Sequence, residues 1–281
     1  MRTLLLILAL VAAPAASALP NGAAQLFAER TALLAADSKC HVLGAPVRAA
    51  LTATTTQARF AALRDGWSSD ALAGVSQRAS AAGRARACND AAVLSAAKGA
   101  SGGYLGWSRM PSMLFPGASA AWAARRAPDM DGWTLTQNLA DGARFGLATG
   151  PTGAEMLVLS LPAKPGAAPS TATLFLRDAA RAPRPLLDVP GVTPLPGLAG
   201  GLAPRSVETA RLASQRVAYQ PEKAPPRTLF LFPVSVLNDI AALDPRETIE
   251  IEITGAAGTS RVLIEIGDLA AARAFLAAKS V

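Results

Sequence analysis

One histidine, His41, is the whole imidazole supply of the chain, and Cys40 and Cys88 are its only cysteines. With no second Cys-His cluster to complete the four ligands of a closed zinc site, no metal is expected. The chain has no Gly-Lys-Ser/Thr loop to cradle a phosphate and no dinucleotide fingerprint, so no cofactor is expected either. Past residue 20 no apolar run approaches the roughly twenty residues of a membrane-crossing helix, so no transmembrane anchor is expected. Aromatic residues make up only 5% of the chain, which leaves few large side chains with which to build a core.

Basic residues outnumber acidic ones, 27 to 20, for a formal charge of +7. The excess is mostly arginine and is scattered along the chain, without a run that would track a nucleic-acid backbone. A solvated basic surface follows, open at most to an anionic cell-envelope component. The heavy use of Ala, Arg, Gly and Pro is also what a GC-rich genome imposes.

Residues 1–18 carry one positive charge at Arg2, an apolar run from Leu4 to Ala13, then Pro14 and Ala15-Ala16-Ser17-Ala18. This is the layout of a cleavable signal peptide, with the mature chain starting at Leu19 and residing in the periplasm or outside the cell. No cysteine follows the cleavage point to take a lipid.

Residues 19–127 read as a helical domain. Leu26, Phe27, Arg30, Leu33 and Leu34 form a stripe on a first helix that fades near Asp37 to Lys39. Gly44 and Pro46 mark a break and restart, and the second helix runs to Asp65 with Val47, Leu51, Ala58, Phe60 and Leu63 inward. Gly66 ends it. Ser68 or Ser69 caps a third helix carrying Leu72 and Val75, and Asn89 or Asp90 caps a fourth carrying Val93 and Leu94. Cys40 and Cys88 fall in the breaks, where an oxidising compartment joins them, contributing at most about 4 kcal/mol by the chain-entropy model. His41 is then a loop histidine beside a disulfide.

Tyr104 to Trp133 concentrates aromatic residues and arginines. Trp107, Arg109, Trp122, Arg125, Arg126 and Trp133 are the candidate binding residues, since such side chains combine large contact area with a polar edge. The competing use of this segment is to glue the two halves of the chain together. Two catalytic spacings also occur. Gly99-Ala100-Ser101-Gly102-Gly103 has nucleophile-elbow spacing but lacks the strand before the serine, and Ser95-Ala96-Ala97-Lys98 lacks the S-D-N and K-T-G partners of its class.

After Asp129 the period shortens to that of strands. Candidate strands are Trp133–Gln137, Arg144–Leu147, Glu155–Leu161 and Thr171–Arg177, with Asp131-Gly132, Asp141-Gly142 and Thr152-Gly153 as turns. Residues 179–204 read as a Pro/Gly-rich loop. Thr228–Phe232 is a strand, Val236–Leu243 a short helix, Glu247–Thr254 and Arg261–Ile266 an antiparallel pair, and Gly267-Asp268 caps a final helix ending near Ala278. Glu250 and Glu252 sit opposite Ile249, Ile251 and Ile253 on a face expected to be solvated.

The stretch Val236 to Ala278 resembles the closing segment of the invasion-associated locus B family of exported bacterial β-sandwich proteins, and the whole chain is similar to exported proteins of GC-rich Gram-negative bacteria. The resemblance implies an exported, non-enzymatic sandwich. The fold expected is α+β: an N-terminal α-helical bundle, then an antiparallel β-sandwich-like domain over 128–281 with a C-terminal helix. The function expected is an exported binding or structural module without catalysis. The alternatives are a serine hydrolase using Ser101 or Ser95, or an envelope protein holding an anionic surface through Arg109, Arg125 and Arg126.

Overall fold

The computed structural model describes residues 22–149, 153–163, 169–179, 212–213, 215–219, 226–256 and 258–278. The leader, and residues 180–204 of the expected Pro/Gly-rich loop, lie outside the described residues. The protein is α+β: a helical N-terminal region, antiparallel sheets that do not close into a barrel, and a C-terminal helix.

Four helices open the described chain: α1 (Ala23–Cys40), α2 (Ala45–Arg64), α3 (Ser69–Ala85) and α4 (Ala91–Arg109). Their ends follow local chemistry. Pro46 sits in the first turn of α2, where its missing N–H leaves no gap. Gly66 follows α2 with φ +93°, a conformation that costs glycine little. The Ser68 hydroxyl accepts the Ala71 N–H at 3.1 Å to cap α3, and Asp90 accepts the Ala92 N–H at 2.8 Å to cap α4. Two expectations need correction. Leu26 and Leu94 are about half exposed, because each stripe turns inward through its neighbour, Phe27 or Val93. Helix α4 continues through Gly99, Gly102, Gly103 and Gly106 to Arg109.

At Gly83 an added Cβ would stand 2.1 Å from the Ala32 carbonyl oxygen, so α3 lies backbone against backbone on α1. The same end of the pair carries the Cys40–Cys88 disulfide, and Lys39 donates to the carbonyls of Arg84 and Arg86 there. Cross-link and glycine contact thus fix one junction twice, in a region whose cores are built largely from alanine and a few leucines.

Strands begin at Ser112, ahead of the change of period seen after Asp129. They are β1 (Ser112–Pro116), β2 (Ala121–Arg125), β3 (Trp133–Asn138), β4 (Arg144–Thr149), β5 (Glu155–Pro162), β6 (Pro169–Phe175), β7 (Leu212–Ala213), β8 (Gln215–Tyr219), β9 (Arg227–Phe232), β10 (Thr248–Gly255) and β11 (Gly258–Glu265). A short helix α5 (Val236–Ala241) precedes β10, and α6 (Leu269–Ala277) follows β11. Among the described residues the strands form a seven-stranded sheet, β1-β2-β3-β4-β5-β9-β8, and a four-stranded one, β11-β10-β6-β7.

The core is legible in the register. Phe115, Trp122, Gln137, Phe145, Leu159 and Phe230 are successive cross-strand partners from β1 to β9, and each is at most 1% exposed. Directly opposed residues share a face, so this row is one continuous inner surface. It packs in a common core with Leu174, Ile249, Ile251 and Ile253 of the smaller sheet and with Leu237, Ile240 and Phe275 of the two late helices. On the other face of β10, Glu250 departs from the solvated position expected of it. It is 9% exposed and pairs with Arg261 at 3.2 Å, while Glu252 stands 3.9 Å from the same guanidinium.

The polar member of the row explains how the sheets are locked. Gln137 accepts the Glu265 N–H at 2.9 Å and donates to the Glu265 carbonyl at 3.0 Å, so its side chain stands in for a neighbouring strand. The Glu265 carboxylate in turn accepts the N–H groups of Ala118, Ser119 and Ala120 at 2.7, 3.0 and 3.2 Å, together with the Ser119 hydroxyl. This seats the β1–β2 turn on the end of β11. Burial pushes the Glu265 carboxyl upward, but these hydrogen bonds, that from the Ser119 hydroxyl foremost, outweigh it and hold the group below its ordinary value of 4.5. A depressed carboxyl contributes stability above the unfolded-state value and loses it as pH falls through the folded-state value. Glu265→Gln is therefore expected to cost about 2 kcal/mol at pH 7, with the gap to the parent closing as pH drops below 4.5. Urea melts of both proteins from pH 7 to pH 3 measure this, and a gap independent of pH would contradict the clamp.

The helical and sheet regions meet at α6. Arg64 of α2 donates to both carboxylate oxygens of Asp268 at 2.7 and 3.3 Å, and Asp268 is fully buried. Phe275 of α6 lies 5.8 Å from the Phe115 ring of β1 and 5.3 Å from the Trp107 ring of α4. The last helix is thus the wedge between the first helices and the first strands.

Candidate functional site

The aromatic and arginine candidates go to separate places. Trp122 is wholly buried, and its indole N–H is shared between the carbonyls of Glu265 and Ile266 at 3.0 and 2.9 Å. Trp133 is buried on the opposite face of the large sheet, with Ala148 and Val158. Trp107 is half-buried on α4. Arg126 stacks 4.0 Å over Phe275 and 5.7 Å from the Trp107 centroid, and donates to the carbonyls of Met110 and Ala278. Arg109 and Arg125 are exposed, the latter 4.0 Å from Asp129. Only Trp107 and Arg126 are brought together, and they join α4 to α6.

Ser101 lies inside α4 and donates to the Ala97 carbonyl at 2.9 Å, so the Gly99–Gly103 spacing is one turn of helix and not the strand-to-helix bend that an elbow requires. Ser95 is exposed on the same helix. His41 caps α1 in the left-handed conformation, φ 51°, and is exposed. Its neighbour Cys40 is in the disulfide, which removes the thiolate a Cys–His pair would need.

A cavity of about 290 Å³ opens between α1, α2 and α4. It exists because Gly99 and Gly103, one turn apart on α4, present no side chain toward the gap: a Cβ at either would meet nothing within 4 Å. Leu51 and Thr54 of α2, Tyr104 and Trp107 of α4 and Arg30 of α1 line it. Arg30 is half-buried and donates to the Thr54 carbonyl at 2.6 Å, its one hydrogen bond among the described residues. Burial pulls its guanidinium below the ordinary arginine range, with Glu29 opposing only in part. Sequence reasoning placed Arg30 in the stripe of α1 without giving it a role. The available signal was the one charge in that stripe, read together with a fourth helix that carries glycine at 99 and 103.

No protein-family model, curated protein or solved structure matches this chain.

Proposed function

We propose that the protein is an exported module that acts without catalysis, by holding a small ligand in the cavity between α1, α2 and α4. The carrying observation is the cavity itself, at the small end of ligand-pocket sizes, apolar over most of its wall and entered by one guanidinium. Export is supported by the leader-like composition of Met1 to Ala18 and by the Cys40–Cys88 bond, since such bonds persist in oxidising compartments. The placement of Ser101 in mid-helix, with its hydroxyl donated to Ala97, favours binding over acyl transfer.

A serine-directed fluorophosphonate probe is expected to leave the purified mature protein unlabelled. Stoichiometric modification at Ser101 or Ser95 would remove the non-catalytic reading. Envelope fractions of the native host are expected to yield a chain starting at Leu19 with oxidised cysteines. Full-length chain with two free thiols in the cytosol would remove export.

A further inference from the structure

We infer that the cavity between α1, α2 and α4 takes a small monocarboxylate with an aromatic or branched apolar body, its carboxylate on Arg30 and its body against Leu51, Tyr104 and Trp107. The inference rests on the reading of the protein as a binding module and names the class of ligand.

The buried Arg177 and the half-buried Arg64 are each met by a carboxylate within the fold, Glu247 and Asp268. Among the described residues, Arg30, Arg126 and Arg227 are half-buried without a carboxylate partner; Arg126 is met by carbonyls and the Phe275 ring and Arg227 by Ser160 and the Gly142 carbonyl, while Arg30 lines the cavity. Arg30 spends one donor on Thr54 and forms no ion pair among the described residues, whereas a guanidinium offers five N–H groups in a planar fork. That fork matches a carboxylate in two parallel hydrogen bonds, and the pairing strengthens where water is partly excluded. The surrounding charge has the same sense. Helices α2 and α4 contain no Asp or Glu, while Arg48, Arg59, Arg64, Lys98 and Arg109 lie along them. Glu29, next to Arg30 on α1, is exposed and holds the Gln25 amide at 2.8 Å. A cationic ligand would thus find no counter-charge in the walls, and an anionic one meets a desolvated cation.

Shape then selects within the anions. One guanidinium suits a single carboxylate better than a phosphate or a dianion, which would keep charge uncompensated against Leu51 and the two rings. Tyr104 is 9% exposed, and its side chain borders the cavity together with that of Trp107. Such a wall favours a flat or branched hydrocarbon body. The volume limits that body to metabolite size.

Calorimetry on the disulfide-bonded mature protein, with 3-phenylpropionate, 3-phenylpropionamide and 3-phenylpropylamine as probes, tests the assignment. The acid is expected to bind at least tenfold more tightly than the amide, with the amine weakest. Arg30→Gln is expected to weaken the acid ~10- to 100-fold and leave the amide unchanged, so that the two become equal. Gly103→Leu is expected to abolish binding of all three at an unchanged or raised melting temperature, because leucine is the better helix former and fills empty space. Equal binding of acid and amide to the parent, or acid affinity indifferent to Arg30→Gln in a variant with parental melting, overturns the carboxylate assignment. So does absence of acid binding at millimolar concentration. Amide or amine binding that Gly103→Leu blocks would leave the cavity as a site and overturn only the ligand class. Fluorophosphonate labelling would overturn the non-catalytic reading whatever the acid does.

Discussion

Trp122→Ala is expected to lower the free energy of unfolding by about 4 kcal/mol, the range seen when a buried aromatic is cut back to a methyl. The site offers no room to collapse. Trp122 is fully buried in the row that runs from Phe115 to Phe230 and meets the Phe145 ring at 6.3 Å. Its truncation also takes the shared indole N–H from the carbonyls of Glu265 and Ile266, which keep one donor each, the Gln137 amide and the Leu269 N–H. Trp122→Phe separates the contributions: most of the volume returns and the hydrogen bond does not, so a cost of about 1–2 kcal/mol is expected. Urea denaturation of the three proteins reads both numbers. An alanine variant that melts like the parent while losing a ligand would make this residue part of a recognition surface and overturn its role in the interior.

That role also marks where the sequence stopped being informative. Helix ends were legible because their causes are local: Ser68, Asp90, Pro46 and Gly66 act within a turn of where they stand. Strands were legible because Leu157 and Leu159, or Ile249, Ile251 and Ile253, repeat with period two. The destinations of the tryptophans were not. Trp133, Leu135 and Gln137 alternate as though they shared a face, yet the register of β3 against β4 shifts between Trp133 and Leu135. Trp133 faces Ala148 while Leu135 faces Leu147, two neighbours on β4, so the irregularity turns Trp133 to the far side of the sheet. Nothing in a strand's own residues announces such a shift. Gln137 was equally silent, since a glutamine at an inward position is ordinary until its partner, the backbone of Glu265, arrives from 128 residues away. The cavity was half legible: Arg30 and the glycines of α4 are visible as exceptions to pattern, but their meeting depends on how three helices pack.

The buried ion pair between Arg177 and Glu247 gives the second large effect. Arg177 follows β6 and Glu247 precedes β10, so the pair closes the end of the β6–β10 ladder in the small sheet. Two hydrogen bonds, 2.8 and 2.6 Å, join them, with side chains 4% and 3% exposed. Hydrogen bonding to Glu247 raises the Arg177 guanidinium above its ordinary range despite the opposing effect of burial. Glu247 also accepts the Asp244 N–H at 2.9 Å, which ties the turn after α5 to the same point. Glu247→Leu is expected to cost about 3–5 kcal/mol, because it removes the carboxylate that is hydrogen-bonded to a buried cation. The double replacement Arg177→Met with Glu247→Leu is expected to recover most of that loss, since desolvating two ions offsets much of what their attraction contributes. The comparison separates two accounts of the pair. If it stabilises the fold outright, the double variant is at least as weak as the single one in urea. If its importance lies in never being broken singly, the double variant stands close to the parent, and the ladder end is held by apolar packing around Leu176 and Ile249.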